Sequence, residues 1–90
     1  MGRDAKKRFE EFHHKNPDVY RRLVKMALEL ASRGYQTYGM KGLFEVLRWE
    51  EALRTNGSVF KLDNNFTAYY ARRIMLVEPR LKGFFKTRGK

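Results

Sequence analysis

Between Asn16-Pro17 and Gly34, the residues Val19, Leu23, Met26/Ala27 and Leu30 recur at i, i+4, i+7/8 and i+11, the spacing of one helix face. Tyr20, Val24 and Ala31 widen that stripe, while Arg21, Arg22, Lys25, Glu29 and Arg33 fall on the other side. Pro17 suits the first helical position, where a missing N–H costs nothing, and Asn16 is a favourable cap before it. Gly34 can end the helix by adopting a left-handed conformation. A bounded amphipathic helix of this kind needs a second apolar surface to pack on, which predicts a mainly α domain.

The remaining segments follow the same period. Asp4 to His14 reads as a short helix with Phe9 and Phe12 as its apolar contacts. After the turn segment Gly34 to Gly39, a third helix covers Met40 to Arg54, with Met40, Leu43, Phe44 and Leu47 on one face. Val46, Trp49 and Leu53 form a second apolar stripe, predicting burial on more than one side, and Lys41, Glu45 and Arg48 share the polar face. Ser58 to Leu62 is a brief strand or an extended connector. Asn64 and Asn65 are capping residues for a fourth helix, Phe66 to Val77, whose stripe is Phe66, Tyr69/Tyr70, Ile74 and Val77. Glu78-Pro79 closes it, and Leu81, Phe84 and Phe85 fold back onto the core. The expected fold is about four helices with a helix-turn-helix-like centre and at most a short β segment, with a winged-helix-like arrangement as its variant.

Ninety residues, 42% of them apolar and 14% aromatic, support one modest core. Without cysteine there is no disulfide framework and no cysteine-based zinc site, which fits a reducing cytoplasm. No apolar run approaches the roughly 18 residues that span a bilayer, and the basic start lacks the apolar stretch of a signal peptide.

The net charge is +10, from 20 Lys and Arg against 10 Asp and Glu. Residues 1–8 carry net +3 and residues 82–90 net +4, whereas residues 9–81, with 12 basic and 9 acidic side chains, carry net +3. The predicted organisation is therefore a basic N-terminal arm (1–8), a compact helical domain (9–81) and a basic C-terminal tail (82–90). An excess of this size suits an anionic partner, and nucleic acid is the commonest. Arg3, Lys6, Lys7 and Arg8 in the arm and Lys82, Lys86 and Arg88 in the tail are the candidate phosphate ligands. The alternative is that basic termini only aid solubility.

In a helix-turn-helix the third helix would enter the major groove, which makes Gln36, Thr37, Tyr38, Lys41 and Arg48 candidate base readers. Plain packing of two helices explains the same pattern. Arg72 lies opposite the fourth helix's stripe, beside Tyr69, and is a candidate phosphate ligand. His13 and His14 are adjacent and diverge by about 100° on a helix, so they do not share a metal. Glu10-Glu11 and Glu50-Glu51 are neighbours rather than i, i+4 partners, and no catalytic order, phosphate-cradling glycine loop or cofactor motif is present. Gly39 and Gly42 lack the β elements of a backbone clamp. The chain is expected to be non-enzymatic, with no metal and no cofactor.

Phe9-x-x-Phe12-His13, Asn16-Pro17-x-Val19-Tyr20, Gly39-Met40-Lys41-x-Leu43-Phe44-Glu45-Val46-x-Arg48-Trp49, Phe60-Lys61-Leu62-x-Asn64-Asn65, Tyr70-Ala71-Arg72 and Pro79-x-Leu81-x-Gly83-Phe84-Phe85-x-x-Arg88 form an ordered set. From about Phe9 to Arg88 the chain resembles a family of small, mostly uncharacterised bacteriophage and prophage proteins. The resemblance implies a helical or winged-helix DNA-binding protein in the cytoplasm of a bacterial host, with no common activity to carry over. Glu45, Arg48, Asn64, Asn65 and Arg72 are then either functional positions or ion pairs and caps. The expected function is double-stranded DNA binding by a small phage-type protein, such as a transcriptional regulator. The alternative is a factor that binds a host protein through Tyr35, Tyr38 and Trp49, and a self-associating homodimer is a third reading.

Overall fold

The computed structural model describes residues 2–54 and 62–85, without the side chains of residues 2 and 3. Four α-helices make up the fold: α1 (Gly2–Lys15), α2 (Pro17–Ser32), α3 (Met40–Arg54) and α4 (Thr67–Val77). Short 3-10 turns at Asn64–Phe66 and Pro79–Leu81 bracket α4. The protein is mainly α, and no strand occurs among the described residues. Residues 58–61 of the expected β segment lie outside them. No helix among the described residues is long and apolar enough to cross a membrane.

Two of the predicted boundaries move, each for a local reason. The basic N-terminal segment is helical, because Ala5-Lys6-Lys7-Arg8 are good helix formers with Asp4 in the first turn and Phe9 anchoring the next. At the other end Phe84 and Phe85 are buried and pack edge to face, so the core runs past residue 81. Pro17 does occupy the first turn of α2, and Gly34 follows it with φ 101°. Asn16 does not cap α2 with its side chain; its Nδ2 donates to the Phe12 carbonyl at 3.0 Å, closing the end of α1 instead. Asp63, not Asn64 or Asn65, begins the next element, its carboxylate accepting the Asn65 N–H at 2.9 Å.

Phe9 organises the centre. It stacks on Tyr69 and His13 and meets Phe66 and Tyr70 edge to face. Leu23, Ala27, Phe44, Leu47, Tyr70, Ile74 and Leu81 are fully enclosed around this cluster. The helix α3 packs chiefly on α4, and α2 on α1 and the Pro79–Leu81 turn. The connection of residues 33–39 between α2 and α3 is longer than the three- or four-residue turn of a helix-turn-helix. It is pinned at its far end by the Tyr38 N–H donating to the Phe84 carbonyl at 3.2 Å.

The second stripe of α3 is not buried. Trp49 and Leu53 are 66% and 64% exposed and Val46 is 39% exposed, because neighbouring elements cover only the Met40–Leu43–Phe44–Leu47 side. Val77 is likewise exposed. Helical spacing groups apolar residues into stripes without saying which stripe meets a neighbour.

Candidate nucleic-acid interface

The arginines are largely committed to carboxylates. Arg8 pairs with Asp63 at 3.2 Å, Arg33 with Glu29 at 3.3 Å, Arg73 with Glu10 at 2.7 Å and Arg80 with Glu78 at 3.1 Å, while Arg21 bonds Asp18. The Arg22 guanidinium bridges Glu50 and Glu51, and Arg54 joins the same Glu51 oxygen at 2.6 Å. Burial depresses the Arg22 pKa, but the two carboxylates raise it by more, and the net shift is upward. Glu51 is the one buried charged residue among those described, so the Glu50-Glu51 neighbours have divided roles. One lies on the surface and the other closes a two-arginine network inside. Helical spacing does not reveal this network, because Arg22 comes from another helix.

Arg48 is also engaged. Its guanidinium donates to the Leu62 carbonyl and the Asn64 Oδ1, both at 2.6 Å, and to Glu45 at 3.2 Å. These bonds tie α3 to the segment that leads into α4, so Arg48 holds the fold rather than facing a base edge. Tyr38 is half-buried, with its ring over Gly42: a Cβ there would lie 3.0 Å from the ring, so Gly42 serves this close approach. The other members of the set, Gln36, Thr37 and Lys41, are exposed around the start of α3.

Among the described residues, Lys6, Lys7, Lys15, Lys25, Lys41, Lys82 and Arg72 are exposed and make no ion pair. Lys6 and Lys7 stand one turn before Glu10 and Glu11, which weakens their local field, whereas Arg72 has no carboxylate at i±3 or i±4. Arg72 lies over the Tyr69 ring, 5.3 Å from its centroid. The side chain of Arg3 and all of Lys86 and Arg88 fall outside the described residues. Tyr69 and Tyr70 are packing residues, with the Tyr70 ring fully enclosed and burial pushing its hydroxyl well above the usual tyrosine range.

His13 and His14 separate as their spacing predicts: His14 is exposed and His13 turns inward between Phe9, Tyr20 and Tyr70. Its Nδ1 is buried with no hydrogen-bond partner among the described residues. Burial lowers the His13 pKa below 6.5, with Arg73 and His14 lowering it further and Glu10 opposing them. The unfolded chain therefore binds a proton near pH 6.5 that the folded chain resists, and stability falls as pH drops below that value. Melting temperatures at about pH 7.5 and 5.5 are expected to differ less in His13→Phe, which keeps the ring, than in the parent. Equal differences in both proteins would contradict this.

Comparison with known protein families, curated proteins and solved structures finds no match.

Proposed function

We propose that this protein is a small phage-type DNA-binding protein that holds duplex DNA mainly through phosphate contacts. The observation that carries this reading is the division of its cations: the arginines are tied to carboxylates, and the charge excess is displayed by exposed lysines and Arg72. Lysines act as point charges that position a backbone without reading sequence. Any base contact falls to Gln36, Thr37 and Lys41 at the start of α3, a regulator's recognition surface reduced to three side chains.

The test is a gel-shift salt titration of the full chain on random duplex DNA. Trimming to residues 9–81 would remove Phe84 and Phe85 from the core, so charge is removed by substitution instead. Affinity is expected to fall steeply with salt, and Lys25→Gln/Lys41→Gln/Arg72→Gln to flatten the log–log slope by about 0.9 for each phosphate no longer neutralised. Binding that barely weakens between low and physiological salt would refute the proposal. A second reading, attachment to a host protein, is favoured by the exposure of Trp49 with Val46 and Leu53 on α3, and capture from host lysate that survives nuclease would support it.

A further inference from the structure

A groove of about 460 Å³ runs between α2 and the end of α4, on a different face from the start of α3. Its floor is Tyr20, Val24 and Leu28, three positions at i, i+4 and i+8 of α2, and Val77 forms the facing wall. Leu76 projects beside Val77 and is 85% exposed, the most exposed large apolar side chain described. A lone surface leucine needs no explanation, but one that extends an apolar groove marks a contact surface. The groove has cations along both edges. Lys25 lines the α2 side and makes no ion pair; Arg72, one turn before Leu76 on α4, makes none either.

We infer that this groove docks an amphipathic helix of a partner protein, with apolar residues seated between Val24 and Leu76–Val77 and acidic residues meeting Lys25 and Arg72. Helix-in-groove recognition needs this combination: aliphatic anchors at i, i+3, i+4 and i+7 and charges of opposite sign at the edges. The stripe on α3 lacks the second half of it. The carboxylates flanking that stripe, Glu45 and Glu50, are already neutralised by Arg48 and Arg22, whereas the cations flanking the groove remain open.

The probe is a synthetic helix with Leu at i, i+3, i+4 and i+7, Glu beside them and Ala elsewhere, titrated into the full chain by fluorescence anisotropy. A scrambled peptide of the same composition is the control. The patterned peptide is expected to bind and the scrambled one to bind at least about tenfold more weakly. Leu76→Ser/Val77→Ser, both at exposed positions, is expected to weaken binding by about tenfold with unchanged melting temperature. Lys25→Glu is expected to weaken it and reduce its salt dependence. Equal binding of both peptides, or no effect of Leu76→Ser/Val77→Ser, would overturn the inference. So would self-association abolished by Leu76→Ser/Val77→Ser, which assigns the groove to a second copy. The salt slope on duplex DNA is expected to be unchanged in Leu76→Ser/Val77→Ser, so failure here is distinct from failure of the DNA-binding proposal.

Discussion

Phe9→Ala is expected to destabilise the protein by about 3–5 kcal/mol, the usual cost of emptying a buried aromatic site. For a domain of this size that corresponds to a fall in melting temperature of roughly 15–30 °C. The magnitude follows from what the ring touches. Phe9 sits on His13, Phe66, Tyr69 and Tyr70, and the Arg73 guanidinium lies 5.4 Å from its centroid. Three elements meet on this one side chain. Polar links between α1 and the rest are weaker: Arg8–Asp63 is an exposed pair, and Asp63→Asn is expected to cost less than about 1 kcal/mol through it. Urea melts of both variants would separate the two contributions. A destabilisation below about 1 kcal/mol in Phe9→Ala would mean that α1 does not depend on this ring.

Arg48→Gln is expected to cost about 2 kcal/mol, and Arg48→Lys to restore little of it. The guanidinium satisfies the carbonyl of buried Leu62 and the Asn64 amide oxygen while also pairing with Glu45. An ammonium is a single point donor and does not reproduce that fork, and truncation leaves the carbonyl without its charged donor. Chemical denaturation measures the cost. Salt titration on DNA, performed well below the melting temperature, is expected to show an unchanged slope in Arg48→Gln, because this side chain is not among the open cations. A slope flattened by about one unit would return Arg48 to the phosphate contacts.

Local chemistry made the helical fold legible from the residues. The stripe of α2 between Pro17 and Gly34 is found where the spacing puts it, and the Glu45–Arg48 pair forms at i, i+3. The caps were less legible. Asn16 and Asn64 have the right side chains for capping, yet each finds a better acceptor or donor nearby: the Phe12 carbonyl for one, the Arg48 guanidinium for the other. Residue type fixes what a side chain can bond, not which of several reachable partners it takes.

The candidate interface shows the same division. Simple summation establishes the excess of +10 and its concentration near the ends. It does not tell a paired arginine from an open lysine, because the carboxylates that quench Arg22, Arg8 and Arg73 come from positions far along the chain. Exposure of Trp49 and Leu53, and of the groove beside Leu76, is likewise invisible to periodicity.

By itself, then, the sequence determined the helices, their apolar stripes and the sign of the electrostatic field, all properties set within a few residues or by adding up charges. Only the tertiary structure decided which stripe is covered, which cations are neutralised and where Glu51 and Arg48 spend their bonds. Those outcomes depend on contacts between distant segments, and helix period carries no information about which surfaces meet.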